Sequence, residues 1–399
     1  MTKLFSLKGK IQNYAWGGSE FIPNLLGTTP SEEKCAEYWL GAHANAPSVL
    51  KTEDGEQTLD TFFNTDLTNK LGHDITEKFG RLPFLLKVLD VNDMLSIQVH
   101  PTKVEAEKGF KKENDLGISL TASNRNYKDD NHKPEIMVAL NEFWLLHGFL
   151  TKEKLARVLE AIPEFQSLQS VFESEGYYGL YKKVMEQSQE QTNQVLQSLV
   201  GRILPLYKSG NLSKSSPDYW AAKAVDSASD TSIDKGIYSI YFFNILKANK
   251  GEAIFQDAGI PHAYLEGQNI ELMANSDNVL RGGLTPKHVD VKELLKHVAF
   301  EATIPNIMQG ELQSDGIERI YKSPAPDFEL SQIALNNSQE YKDKTKTTQI
   351  IIVIEGNVTI NEGDTNLNLK KGDAVVLLAD SHYQISTSKS AVLYKATAP

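Results

Sequence analysis

The chain has 399 residues, more than one hydrophobic core usually supports, so two or three domains are expected. Hydrophobic residues make up 40% and charged residues 23%, as in an ordinary globular protein, and a net charge of −11 argues against the basic face that nucleic acid or an anionic membrane requires. The single cysteine, Cys35, excludes an intramolecular disulfide and a cysteine-built metal site, and it reads as a small buried side chain.

The opening MTKLFSLKGKIQNYAWGG lacks the apolar stretch and cleavage site of a signal peptide, and no apolar run approaches the ~18 residues of a membrane span. A cytoplasmic protein without a membrane or nucleic-acid partner is expected. From Met1 to about Leu150, short strands alternate with turn residues. In PFLLKVLDVNDMLSIQVHP two β-rich runs flank the polar break Asp90–Asp93. Asn45–Ser48, Glu113–Asp115 and the polar stretch Ser123–Pro134 read as loops, the last delivering Glu135 to the mouth of a sheet through the apolar run Ile136–Leu140.

The texture changes at Thr151. TKEKLARVLEAI sets Leu155, Val158, Leu159 and Ile162 on one helical face behind a Thr N-cap. QTNQVLQSLVGRILPLY repeats the period with Val195, Leu199, Ile203 and Leu206, and DYWAAKAVDSA adds another helix. Strand texture returns at Tyr238 and continues through IELM, broken by Gly251, Gly259 and Gly267. After SDNVLRGGLTP comes a short helix, VDVKELLKHVAF. From about Ile320 a second β region follows, with His382 as its only histidine. The expected fold is mainly β with an α-helical insertion. Residues 1–150 and 237–318 form one domain, 151–236 the insertion, and 319–399 a small antiparallel barrel or sandwich.

The chemistry is concentrated in three short segments, SIQVHP, NHKPE and GIPHAY. Gln98 and His100 lie two apart on a strand, so both point to one face, and Ser96 joins them there. Three polar side chains on one face of an apolar strand imply a wet or metal-filled cavity, since each unpartnered buried polar group costs ~1–3 kcal/mol. With Glu135 and His262 they offer a mixed nitrogen and oxygen set suited to a borderline divalent cation such as Zn²⁺. Composition alone selects this quartet weakly, because His132, His288 and Glu266 are also at hand. Lys87, inside PFLLKVL, needs an anionic partner. Arg281 precedes the pair Gly282-Gly283, which permits close approach to an anion.

Taken together, QNYAWGG, AEYWLGAHANAPS, PFLLKVL, LSIQVHP, HKPE, PHAYLEG and ELMANSDNVLRGGLTPKHVDV closely resemble type I mannose-6-phosphate isomerase (phosphomannose isomerase), a zinc enzyme family of the cupin superfamily. The resemblance covers nearly the whole length. It implies two cupin-like jelly-roll β-barrels plus the helical domain, the second barrel metal-free. It also implies one Zn²⁺ per chain on Gln98, His100, Glu135 and His262, with Arg281 as the active-site arginine. The implied reaction interconverts mannose 6-phosphate and fructose 6-phosphate through a cis-enediol, feeding mannose, GDP-mannose and carbohydrate metabolism. That chemistry needs a base near C1 and C2, for which Lys133, Asp277, Glu271 and His132 are the open choices. It also needs a phosphate site, for which Ser96, Lys87 and Lys287 are candidates. Trp16, Tyr264 and His132 complete the expected substrate contacts, and a monomer is expected. Two rivals are an Fe²⁺ cupin oxygenase, which a glutamine ligand fits less well, and a sugar-binding cupin without turnover, which has no need of a carbonyl-polarising metal beside a guanidinium.

Overall fold

The computed structural model describes residues 2–53, 55–227, 232–337 and 339–399. Its organising element is the thirteen-residue strand His262–Ala274. Along one edge this strand pairs antiparallel first with Gln98–Val99 and then with Phe84–Val91. Along the other it pairs with Phe143–Phe149 and then with Glu135–Ala139. Gly267 stands where the partners change, at φ +126°, and a Cβ there would lie 2.6 Å from the carbonyl oxygen of Glu142. Only glycine lets the strand pass the turn between those two partners.

Phe84–Val91 reads as a continuous apolar run because both faces of the sheet are covered. Leu86 and Val88 enter the main core, whereas Leu89 and Val91 join a smaller cluster with Tyr264. Lys87, on the same face as Leu89, has its register partner in Glu271.

A second sheet runs Glu311–Leu312, Glu318–Tyr321, Glu329–Leu335, Ala391–Thr397, Gln349–Glu355, Ala374–Leu377, Leu4–Lys8, Val49–Thr52, Gly55–Thr58. A third holds Glu340–Lys344, His382–Ser386, Asn357–Glu362 and Thr365–Lys370. All pairings between strands are antiparallel. The second sheet joins strands from both of the chain segments that the sequence assigns to separate β domains: Leu4–Leu7 pairs in register with Ala374–Leu377. The largest core cluster likewise combines Leu40, Leu86 and Ile270 with Phe328, Ile352 and Val376.

The helical insertion sits between Phe143–Phe149 and Phe243–Ala248, which pair with each other, so it leaves and re-enters the sheet at neighbouring strands. Its helices are Lys152–Ala161, Gln169–Met185, Gln189–Lys208 and Pro217–Asp226, with a 3₁₀ turn at Pro163–Leu168. Residues 228–231 of the expected block lie outside the described residues. Thr151 caps the first helix through the N–H of Lys154, and Ser188 and Gln191 form a capping box on the third. Of the residues that the 3.6 period sets on one face, Leu155, Leu159, Leu199 and Ile203 are buried in the insertion's core and Val158, Ile162 and Val195 are partly buried against it, whereas Leu206 is exposed.

Three expectations are corrected. Gly236–Phe242 is a helix and the strand begins only at Phe243. Every residue of that helix is buried, so its sequence lacks the polar face that separates a helix from a strand. Glu113–Asp115 is the last turn of a helix, Lys103–Asp115, rather than a loop. Its buried positions are Ala106, Gly109 and Glu113, because the Tyr127 ring lies where a Cβ on Gly109 would be (2.3 Å), so no large apolar stripe betrays it. The region before Leu150 also holds short helices at Leu59–Asn64, Leu67–Leu71 and His73–Phe79. Cys35 is buried as expected. No helix among the described residues is long and apolar enough to cross a membrane.

Candidate metal centre

The long strand brings the three segments together. Gln98 stands directly across the ladder from His262 on one side and from Arg281 on the other. Glu135 begins its strand after the polar loop and pairs with Met273 of the long strand and with Gln256. His100, Glu135 and His262 are buried, and their ligand atoms lie within 4.8 Å of one another.

The tautomers show what this cluster is suited to hold. His100 Nδ1 lies 2.9 Å from the carbonyl oxygen of Asn278, and His262 Nδ1 lies 2.9 Å from that of Ile260. A carbonyl only accepts, so both Nδ1 atoms carry a proton, which in a neutral ring leaves Nε2 with the lone pair a metal requires. Those lone pairs face the Glu135 carboxylate, His100 Nε2 at 3.4 Å from Oε1 and His262 Nε2 at 3.3 Å from Oε2. His100 Nε2 has no hydrogen-bond partner among the described residues although it is buried. Lone pairs converging on a carboxylate repel unless a cation lies between them, and the imidazole, carboxylate and amide donors fit zinc. The trio His100, Glu135 and His262 therefore fits the metal that the sequence implies, with Gln98 directly across the ladder from His262.

Charge around the cluster is layered. The Lys133 ammonium lies 3.1 Å from Glu135 Oε1. Burial pushes the Glu135 carboxyl up, but the Lys133 ammonium overcomes this and holds it well below the usual carboxylate range. Lys87 lies 3.1 Å from Glu271 and 3.4 Å from Glu37, over the Trp39 ring. Burial opposes its charge, but these carboxylates and Glu135 hold the ammonium above its ordinary range. Its anionic partners are thus the protein's own. Burial, with help from Glu135, pushes the Glu271 carboxyl up despite Lys87. Tyr264, whose hydroxyl is buried and unbonded, is pushed up by burial and by Glu271.

Asp277 differs from the other carboxylates in being reachable: its side chain is 37% exposed, against 5% for Glu135 and Glu271. It pairs with His43 Nε2 at 3.2 Å, and His43 with Lys133 and Lys87 overcomes burial to lower its pKa. Arg281 is half-buried, and among the described residues its guanidinium has neither an ion pair nor a hydrogen bond to the protein. Lys287 is exposed, its pKa lowered by partial desolvation and by the nearby Arg281. Ser96 and Trp16 are half-buried, and Trp16 packs against the cluster that contains Tyr264. His132 is drawn elsewhere, to Asp327 at 2.8 Å.

Several residues of this neighbourhood escaped the sequence reading. Glu37 and His43 lie in AEYWLGAHANAPS, Tyr14 in QNYAWGG and Asn278 in SDNVLRGG, so the motifs contained them without indicating a role. Tyr14, pushed up by burial and by Glu37, senses Lys87 and Asp277 as well. His147 had no signal. It pairs with His262 across the ladder and bonds Gln256 at 2.7 Å through Nδ1.

Burial lowers both His100 and His147 to about 4. A histidine whose folded pKa lies below the unfolded value of ~6.5 takes up a proton on unfolding, so it costs nothing above that pH and destabilises the fold as pH falls toward 4. Between pH 6.5 and 5 the metal-free chain should lose stability, on the order of 1 kcal/mol per pH unit for each histidine at the lower end. Urea midpoints that stay level over that window would contradict it.

The sequence profile for the catalytic domain of phosphomannose isomerase type I matches residues 4–152. The mannose-6-phosphate isomerase of Escherichia coli (strain K12) is 34% identical over 380 residues, covering 94% of each chain. A zinc-bound crystal structure of mannose 6-phosphate isomerase superposes with a TM-score of 0.84 at 32% identity, covering 100% of both chains. The Salmonella typhimurium enzyme bound to fructose 6-phosphate and zinc gives the same TM-score, identity and coverage.

Proposed function

We propose, for a chain that belongs to the type I phosphomannose isomerase family and takes Zn²⁺ as its cofactor, the interconversion of mannose 6-phosphate and fructose 6-phosphate through a cis-enediol. The observation that carries this reading is the convergence of His100 and His262 Nε2 on Glu135, beside an arginine with no partner among the described residues. The antiparallel sheets are consistent with two cupin-type jelly rolls, the second without a ligand set.

Gln98, His100, Glu135 and His262 would hold the zinc, which when bound supplies Lewis acidity toward the sugar oxygens. The chain's own groups do the rest. Moving a proton between C1 and C2 needs a base that the sugar can touch, and reach favours Asp277 over the buried Glu271. His43, at 3.2 Å, holds the Asp277 carboxylate in place. Lys133 is paired with Glu135 at 3.1 Å, which suits it to donate hydrogen bonds rather than abstract a proton. The guanidinium of Arg281 faces negative charge as it develops on the enediol oxygens. Lys287, exposed and close enough to feel Arg281, supplies charge for the phosphate. Lys87 orders Glu37 and Glu271 behind the site rather than holding phosphate, and Ser96, Trp16 and Tyr264 shape the sugar pocket.

A coupled assay for conversion of mannose 6-phosphate to fructose 6-phosphate tests the reading. Turnover should vanish with chelator and return with one equivalent of zinc. No product, or turnover indifferent to complete metal removal, would refute it.

A further inference from the structure

The turn that follows Arg281 is gripped from the helical insertion. Gly283 has φ +118° and Leu284 φ +55°, the latter a left-handed conformation that a non-glycine residue keeps only when its surroundings hold it. On one side the grip comes from the ladder: the Gly282 N–H donates to the carbonyl of Ile97 at 2.8 Å, and the Ile97 N–H to that of Gly283 at 3.0 Å. On the other side stands Asp234, at the end of the insertion. Its Oδ1 accepts from the backbone N–H groups of Gly236 at 2.6 Å and Leu284 at 2.7 Å, and its Oδ2 accepts from Thr285 at 3.0 Å.

The fit is close. A Cβ on Gly283 would lie 2.6 Å from the Gly236 Cα, and one on Gly236 would lie 2.5 Å from the Leu284 nitrogen. The insertion reaches the same turn a second time, since a Cβ on Gly282 would meet the Tyr181 hydroxyl at 2.9 Å. Arg281 makes no side-chain bond to the protein among the described residues, so its position depends on the backbone that carries it.

We infer that Asp234 is a positioning residue for the reaction: by fixing the turn Gly283–Thr285 it sets where Arg281 and Lys287 stand relative to the metal ligands. The helical insertion is thereby part of the catalytic apparatus without touching substrate. This rests on the isomerase reading above. Three charge-assisted bonds from one carboxylate are a strong anchor, and small misplacement of a transition-state group can lower turnover by ~100-fold.

The test compares Asp234→Ala and Asp234→Asn in the zinc-loaded full chain. In Asp234→Ala, amide hydrogen exchange at Leu284 and Thr285 should speed up by at least about 10-fold, as expected when such bonds are lost. Its kcat should fall about 10- to 100-fold, with one zinc per chain retained. Asp234→Asn keeps an acceptor oxygen at the Oδ1 position, so its exchange and its kcat should lie between those of Asp234→Ala and the parent. If Asp234→Ala does not fold, the intermediate behaviour of Asp234→Asn decides. Parental kcat and exchange in the variant that folds, or a kcat loss that only tracks lost zinc, would overturn the inference. A parent without isomerase activity would instead defeat the functional reading, while the exchange measurement would still report on the anchor.

Discussion

His100→Ala is expected to abolish turnover, by about 10³-fold or more, and to remove most of the bound zinc while unfolding remains cooperative. His100 is fully buried, with Nδ1 committed to the Asn278 carbonyl and Nε2 aimed at Glu135. Alanine removes one of four donors and leaves Gln98, Glu135 and His262, too few to hold the ion tightly. The fold should tolerate the loss, because the strand around it is fixed by Ile97 and Val99 in the helical core. Metal analysis and the coupled assay on the same sample decide. Stoichiometric zinc in the variant would show that the ligand set is wrong.

Arg281→Lys should lower kcat by at least about 10²-fold, with a smaller change in KM. The substitution keeps the charge but loses the planar fork that can face two oxygens at once. A group whose interaction grows in the transition state reports in kcat, whereas one that only holds the phosphate reports in KM. Because the guanidinium has no partner among the described residues, its replacement strands no buried carboxylate among them, and the kinetic change can be read without that structural penalty. A variant with parental kcat and raised KM would make Arg281 a phosphate clamp.

What the sequence revealed follows from how local each signal is. The insertion was legible because Leu155, Leu159, Leu199 and Ile203 repeat at helical spacing within single helices. The candidate ligands were only weakly legible from composition, which left His132, His288 and Glu266 open; the family motifs singled out four, of which the structure brings His100, Glu135 and His262 together. Gly236–Phe242 misled because burial on every side erases periodicity. The Lys103–Asp115 helix was hidden because its buried side is made of small residues shaped by Tyr127. The Lys87 network could not be read locally: Glu37 and Glu271 come to it from strands far apart in the chain. The same holds for His43 with Asp277 and for His147 with Gln256.

The strand Leu4–Lys8, the first in the chain, lies between Ala374–Leu377 and Val49–Thr52. During synthesis it is made well before Ala374–Leu377, and its ladder with that strand cannot close until those residues have emerged. Until then an apolar edge, with Leu4 and Leu7 destined for burial, stays open to any strand that meets it. The sheet that joins the two β regions therefore closes late, and a chain lacking Ala374–Leu377 leaves this edge unpaired. Removing the terminal strands should cost this protein soluble yield rather than merely its C-terminal region, although those strands contribute none of the proposed metal ligands.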